Sequence, residues 1–179
     1  MKKFTTTMLL GVSAGLSACV AQAESAAGFV HAEVPSNGMA LVSMPFHPFG
    51  SGLLDDVLQG RLVGDDNPHS SDSMSLWLND SQAMTNAWLG SFPDNPELDG
   101  HWVAGTSSAD ARLFDLSFSS GDAFFIHNRQ PFPAHVFVSG SVPLDATTDV
   151  GVFPGLNLLS FAYPSSGSAT NALLDGMQG

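Results

Sequence analysis

Short apolar stretches, separated by turn-forming residues, recur along this chain and constrain its fold more than any other feature. The stretches are of strand length and mostly alternate apolar with polar residues: GFVHAEV, ALVSM, SLWLN, HWVAG, LFDLSFS, AFFIHN and HVFVSGSV. Gly, Pro, Asn, Asp and Ser lie between them, as in the connections of antiparallel strands. The pattern predicts an all-β domain, an antiparallel sandwich or a barrel-like fold.

One stretch, SGLLDDVLQG (residues 51–60), has a helical pattern instead. Ser51 is suited to cap the N-terminus of a helix, and Gly60 is suited to end it in a left-handed conformation. The apolar residues between them fall on one helix face, namely Leu53, Leu54, Val57 and Leu58. We therefore expect one or two short helices in the β fold.

The chain also contains an internal repeat of a strand, a turn, a strand, a loop and a short helix. Three pairs of segments match: FVHAEVP (29–35) with FVSGSVP (137–143), GMALVSMPFHPFGS (38–51) with GLNLLSFAYPSSGS (155–168), and DDVLQG (55–60) with LDGMQG (174–179). We expect residues 28–143 to form a β-rich domain and residues 144–179 to be a partial second copy of its first unit. This copy closes the sheet, pairs with a neighbouring molecule, or belongs to a truncated second domain.

The second copy contains an uncharged, β-prone segment, Leu156–Tyr163. Such a segment is an aggregation hazard when it is left unpaired. Because it has the same apolar pattern as Met39–Phe46, we expect it to be a paired strand in the same sheet system.

Several spaced motifs carry a family resemblance: GMALVSMP, SLWLND around Trp77, GHWVAG around Trp102, and SSGDAFFIHN at residues 119–128. In these motifs the chain resembles an exported, uncharacterised family of verrucomicrobial and related bacteria. The family's proteins look as if they consist of two consecutive units of this kind. Each unit begins with Gly-x-x-Leu-x-Ser and ends with a phenylalanine-rich strand. The chain departs from this pattern at Asp122-Ala123 and in ending early. The resemblance implies an exported β protein and brings no established activity.

The N-terminal segment has the layout of a secretory signal peptide. Two lysines precede an apolar run, and Ala21 and Ala23 occupy the small-residue positions of a cleavage site before Glu24. We therefore expect residues 1–23 to be removed and the protein to be secreted or held at the cell surface. In the alternative, LSAC is a lipobox and Cys19 carries lipid. No stretch is apolar over the roughly 20 residues that a membrane-spanning helix needs.

The charge balance excludes several classes of function. Without residues 1–23, three arginines remain against 17 acidic residues, a net charge of −14, and no lysine is left. Nucleic acid is excluded as a partner because binding it requires a basic surface. Cys19 is the only cysteine, so disulfides and thiolate catalysis are excluded in the mature chain. GVSAG resembles a hydrolase nucleophile elbow but lies in the predicted signal peptide.

Two acidic loops have the oxygen ligands that calcium prefers. GDDNPHSSDS provides Asp65, Asp66 and Asp72, and PDNPELDG provides Asp94 and Asp99. Neither loop has EF-hand spacing, and ordinary turn chemistry explains both loops equally well. Calcium at these residues is the one cofactor that the sequence suggests.

Aromatic residues and histidines provide the remaining candidates. Trp77, Trp88 and Trp102 are a hypothetical platform for sugar rings, although strand tryptophans mostly pack in the core. Among the histidines, His127 and His135 flank the turn NRQPFPA and are candidates to face each other across a hairpin.

No catalytic residues are predicted, and we expect a non-enzymatic exported β-domain with a structural or adhesive role at the cell surface or in the extracellular matrix. The alternatives are a glycan-binding module, a strand-exchanging fibre subunit and an acidic glycoside hydrolase. The last needs two carboxyl groups flanking a cleft, and Asp110, Asp115 and Asp122 have no partner identifiable by spacing.

Overall fold

The chain folds into two antiparallel β-sheets, which confirms the predicted all-β class. The computed structural model describes residues 26–142 and 151–160. The strands are β1 (Ala27–Val34), β2 (Met39–Ser43), β3 (His47–Pro48), β4 (Leu58–Gly60), β5 (Ser73–Leu78), β6 (Ala83–Leu89), β7 (Trp102–Ala104), β8 (Arg112–Leu113), β9 (Ala123–His127) and β10 (Ala134–Ser141). One α-helix, α1 (Leu54–Val57), and one 3-10 turn, Ser108–Asp110, accompany them within these ranges.

The strands form an open sandwich rather than a closed barrel. In the first sheet, sheet A, β10 lies between β1 and β3, and β4 pairs with β10 beside β3. The second sheet, sheet B, has the strand order β2-β9-β5-β6-β7-β8. All of these ladders are antiparallel, and β5 to β6 is a hairpin connected by residues 79–82.

The core lies between the two sheets and follows from the alternation of side chains along each strand. Along β10, Ala134, Val136 and Val138 are buried while the residues between them are exposed. Sheet B contributes Val42, Met74, Leu76, Phe124 and Ile126 to the same cluster, and α1 contributes Leu54 and Val57. Burial of these apolar side chains is the main source of stability for a fold of this kind.

The first strands of the two repeat copies pair with each other. β1 contains the first copy's FVHAEV, and β10 contains most of the second copy's FVSGSV. Their antiparallel register places the equivalent residues Val30 and Val138 directly opposite each other. The equivalent rings of Phe29 and Phe137 then lie 6.4 Å apart across this pair. The repeat is thus arranged about a local two-fold axis in sheet A.

The predicted helix over residues 51–60 is wrong in its length and in both of its ends. The helix covers only Leu54–Val57, and Leu53, not Ser51, is its N-cap residue. Residues 58–60 form β4, because their backbone groups pair with residues 136–138 of β10. Gly60 is needed for close approach rather than for a left-handed turn: a Cβ there would lie 2.5 Å from the carbonyl oxygen of His135. Strand pairing prevails over the weak helical preference of so short a segment.

The start of the second repeat copy is bound to sheet B by side chains instead of by a strand ladder. The side-chain oxygens of Gln82 and Asn79 accept hydrogen bonds from the backbone N–H groups of Leu156 (2.7 Å) and Leu158 (2.8 Å). The backbone N–H of Ser160 donates to the carbonyl of Gly121 at 2.9 Å. Residues 156–160 are not in a β-strand, so the predicted paired strand is wrong for this part of the chain.

Other predictions concern residues that the structure does not describe. The signal peptide (1–23), lipidation at Cys19, the end of the expected strand at residues 161–163, and the repeat segment 174–179 all lie outside the described ranges. Within 26–142 and 151–160, no helix has the length and apolar character needed to cross a membrane.

Candidate functional site

The two predicted calcium loops meet around one cavity. A space of about 480 Å³ lies between residues 64–66 and residues 91–95. Asp65, Asp66 and Asp94 are among the residues that line it. Backbone hydrogen bonds hold the loops together, from Asp65 N–H to the carbonyl of Leu89 (3.2 Å) and from Ser91 N–H to that of Asp65 (3.0 Å). The structure therefore joins into one acidic surface what the sequence presents as two separate clusters.

Two of the predicted ligands do not line this cavity and accept hydrogen bonds from the backbone. Asp72 has no exposed surface, and its carboxylate accepts hydrogen bonds from the backbone N–H groups of Val63 (2.8 Å) and Arg129 (2.7 Å). Asp99 accepts a hydrogen bond from Phe92 N–H at 2.6 Å. Asp72 is therefore wrong as a calcium ligand, because its carboxylate is fully buried and both of its oxygens bind backbone N–H groups. Asp99 is exposed and stays a prediction, since a carboxylate that accepts one hydrogen bond can still bind an ion.

The three carboxylates that line the cavity, those of Asp65, Asp66 and Asp94, remain candidate calcium ligands. Asp65 accepts a hydrogen bond from Asn67 N–H at 2.9 Å, which is ordinary turn chemistry. In the part of the chain that the structure describes, no three His, Cys, Asp or Glu side chains are grouped to hold a metal ion. Calcium at Asp65, Asp66 and Asp94 stays a prediction.

The predicted tryptophan platform is wrong, because two of its three members are buried. Trp88 and Trp102 are each only 3% exposed. Trp102 belongs to the core between the sheets, whereas the register of β6 places Trp88 on the outer face of sheet B, where Phe92 packs against it at 5.5 Å. Trp77 is half-buried, and its indole N–H donates to the carbonyl of Leu156 at 2.9 Å. Burial of their large apolar surfaces gives these side chains a packing role.

Two of the three carboxylates weighed for glycoside hydrolysis, Asp110 and Asp122, bind the backbone of their own turns. Asp110 accepts hydrogen bonds from the N–H groups of Thr106 and Ser107, and these bonds hold the pKa of its carboxyl well below the usual range. Asp122 accepts a hydrogen bond from Ser119 N–H at 2.7 Å, while burial raises its pKa. Both groups are explained as turn-closing residues.

The histidine pair proposed from the sequence is wrong. His127 lies on β9 in sheet B, whereas His135 lies on β10 in sheet A, so the two are not opposite each other in a hairpin. His127 instead forms a hydrogen bond with the hydroxyl of Ser75, at 3.1 Å between Nε2 and Oγ. The same hydroxyl donates to Asn86 Oδ1 at 2.6 Å, so its proton points away from the imidazole. This is not the arrangement of a nucleophile and its base.

His127 also borders a smaller cavity of about 260 Å³, together with residues 37–39, Asn128 and Arg129. Burial lowers the pKa of His127, and the positive charge of Arg129 lowers it further. The unfolded chain therefore binds a proton at this residue more tightly than the folded chain does.

We expect the stability of the protein to fall as the pH drops below about 6.5, the ordinary pKa of histidine, because protonation of His127 favours the unfolded chain. The variant His127→Gln removes this contribution. Its unfolding midpoint should therefore vary less with pH than that of the wild type when both are measured by urea denaturation between pH 5 and pH 8. The exposed His69 provides the control: His69→Gln should keep the wild-type slope. Equal slopes for His127→Gln and the wild type would contradict the prediction.

A second pair of histidines was missed by the sequence reasoning. His31 on β1 and His135 on β10 lie on the exposed, outer face of sheet A, with 3.0 Å between Nε2 of the first and Nδ1 of the second. The signal that places them together is the repeat itself, because the pairing of its two first strands about Val30 and Val138 sets the register of both histidines.

Comparisons of the chain with family models, with curated proteins and with solved structures find no match. The resemblance to the verrucomicrobial family therefore stays a prediction, and the function is inferred from the molecule's own surfaces.

Proposed function

We propose that the protein is an exported, non-enzymatic β-domain with a structural or adhesive role at the cell surface or in the extracellular matrix. We further propose that it acts by joining to a second copy of itself along β1. The observation that carries this proposal is the open edge of β1 in sheet A.

β1 is a long edge strand whose only acidic or basic residue besides His31 is Glu33. Its eight residues pair continuously with β10, and the sequence AGFVHAEV contains neither lysine nor proline. Among the described residues, no strand pairs with its other edge. Natural proteins usually blunt such edges with charges, prolines or bulges, because the unpaired backbone groups recruit another strand. The edge of β1 is suited to strand addition.

The repeat explains why the partner is a second copy. β1 already pairs antiparallel with β10, a strand of the same Phe-Val pattern, about the equivalent residues Val30 and Val138. The β1 strand of another molecule offers this pattern again. Phe29, which is 71% exposed, and Phe137, which is 40% exposed, lie on the same outer face and provide apolar surface beside the joint.

The alternatives have less support. A glycan-binding module has less support because Trp88 and Trp102, two of the three tryptophans of the predicted sugar-binding platform, are buried. A glycoside hydrolase has less support because two of its candidate carboxylates, those of Asp110 and Asp122, accept hydrogen bonds from the backbone of their own turns. A strand-exchanging fibre subunit needs a second edge besides β1, because β1 pairing with β1 closes a dimer. The size of the assembly distinguishes the fibre from the dimer.

We expect Phe29→Lys to weaken self-association at least tenfold, about 1.4 kcal/mol of binding free energy. Pairing of two β1 strands about Val30 brings the two introduced lysines close together, and like charges across strands are destabilising. Sedimentation velocity over a wide range of protein concentration measures the effect.

The matched control is Leu113→Lys, which introduces the same charge at a half-exposed apolar residue of β8, the edge strand of sheet B. This variant should associate like the wild type. A wild type that stays monomeric at every concentration, or a Phe29→Lys variant that associates as strongly as the wild type, would contradict the proposal.

A further inference from the structure

We propose that His31 and His135 form a binding site for a divalent transition-metal ion, such as Zn²⁺ or Cu²⁺, on the outer face of sheet A. The two imidazoles come from neighbouring strands and lie far apart in the sequence. Their nitrogens approach to 3.0 Å, and their rings are stacked with centroids 5.2 Å apart and planes 22° apart. Both side chains are exposed, so an ion has access to them from solvent.

The distance between the two nitrogens fits shared coordination of one ion. Imidazole nitrogens bind Zn²⁺ at about 2.0–2.1 Å. Two such nitrogens are therefore about 2.9 Å apart when they subtend a right angle at the ion and about 3.3–3.4 Å apart at the tetrahedral angle. The observed separation of 3.0 Å lies between these values. On binding, the rings, which now share a hydrogen bond, must turn so that both lone pairs point to the ion instead of along the line between the two nitrogens.

The backbone and an aromatic neighbour hold the two ligands in place. The β1 and β10 ladder is continuous on both sides of the site, from Ala27 opposite Ser141 to Val34 opposite Ala134. His31 lies opposite Phe137, and their rings stack with centroids 4.9 Å apart. Ligands fixed by a rigid sheet lose little conformational entropy on binding an ion.

A third ligand is available from the same strand pair. Glu33 lies directly opposite His135 and two residues beyond His31, so strand alternation places all three on the outer face. Two imidazoles and one carboxylate suit zinc, copper and nickel rather than calcium or magnesium. Within the described part of the chain no three such side chains are already grouped, so Glu33 would turn toward the ion on binding, with water completing the coordination.

Binding of the ion competes with protons. Each imidazole must be neutral and must carry its proton on the nitrogen that does not face the ion, so the ring that now donates the hydrogen bond changes to its other tautomer on binding. Affinity should therefore fall as the pH is lowered. The charged neighbours on this face are Glu33 of β1, which favours a cation, and Arg61 after β4, which opposes one; the backbone N–H of Arg61 donates to the carbonyl of His135 at 3.1 Å.

The test is a calorimetric titration of the full chain with Zn²⁺ and with Cu²⁺ at neutral pH. We expect one site per chain, with affinity reduced at least tenfold by His31→Gln or His135→Gln and to a smaller extent by Glu33→Gln. His69→Gln changes an exposed histidine outside sheet A and should leave the affinity unchanged. The paramagnetic resonance spectrum of the bound Cu²⁺ should show coupling to two imidazole nitrogens.

Three results would overturn the proposal: no binding of either ion to the wild type, undiminished binding in the double variant His31→Gln/His135→Gln, or a Cu²⁺ spectrum without imidazole nitrogens. Because both histidines are exposed, thermal melting should show that the variants remain folded. The proposals of a metal site and of self-association are tested independently. Phe29→Lys keeps all three metal ligands, so this variant should still bind the ion even though its self-association is weakened.

Discussion

Replacing Asp72 with alanine should lower the free energy of unfolding by about 3–5 kcal/mol, measured by urea denaturation at neutral pH. The Asp72 carboxylate is fully buried and accepts hydrogen bonds from the backbone N–H groups of Val63 and Arg129. Each bond to a charged acceptor contributes about 1.5–3 kcal/mol. The substitution removes both bonds and leaves two donors without their partner.

The control for this prediction is Asp66→Ala, which removes an exposed carboxylate of the same loop. Its effect should stay within about 0.5 kcal/mol in the presence of a chelator, which removes any calcium bound at Asp66. The measurement also separates the structural role of Asp72 from the calcium role that the sequence suggested. A structural carboxylate gives the same loss with calcium or with a chelator, whereas a calcium ligand would give a loss only when calcium is present. A loss as small as that of Asp66→Ala would contradict our interpretation.

Changing Asn128 to aspartate should destabilise the protein by a similar amount, about 3–5 kcal/mol at neutral pH, as expected for an unpaired buried charge. The two hydrogens of the Asn128 amide are shared among three backbone carbonyls, those of Val34 (3.3 Å), Pro35 (3.1 Å) and Phe132 (2.8 Å). Its oxygen accepts a hydrogen bond from Gln130 N–H at 2.8 Å. Aspartate would replace this NH2 donor with a negatively charged oxygen, which would repel the three carbonyl oxygens.

The pH dependence gives this prediction a distinct signature. Burial would raise the pKa of the introduced carboxyl in the folded state, so the destabilisation should lessen as the pH falls through that raised value. Asn86→Asp is the matched control, because Asn86 is exposed and uses its oxygen to accept a hydrogen bond from Ser75. Urea denaturation at two pH values compares the variants, and equal losses for both would show that the Asn128 amide is not a donor to the three carbonyls.

Strand-length alternation was sufficient to find most of the strands but not all of them. GFVHAEV and HVFVSGSV correspond to β1 and β10, whose side chains alternate between core and solvent. β6, AMTNAWL, has no alternating apolar pattern because Thr85 and Asn86 in its middle are polar. β3 and β4 have two and three residues, too few for any periodicity to be visible. LFDLSFS contributes only part of the two-residue strand β8, together with a bridge from Ser117 to Leu53.

Composition identified the chemistry of candidate residues, but it did not determine their neighbours. The two acidic loops, which the sequence suggested as separate calcium clusters, line one cavity. One of their carboxylates, that of Asp72, is buried away from this cavity. The hairpin expected to join His127 and His135 does not exist, because the residues on either side of the turn enter different sheets. Sequence separation is a poor guide in a sandwich, where most contacts are between distant segments.

By itself, the sequence determined the all-β class, the location of the longer strands and the repeat. The first two depend on local alternation and on turn-forming residues, and the repeat is read directly from matching segments. Tertiary structure alone decided which strands pair and in what register. A shift of one residue exchanges the two faces of a strand, so the approach of His31 to His135 across β1 and β10 depends on the register about Val30 and Val138. Tertiary structure likewise decided that Trp88 and Trp102 are buried, because burial depends on what the opposite sheet and the covering loops place over each side chain.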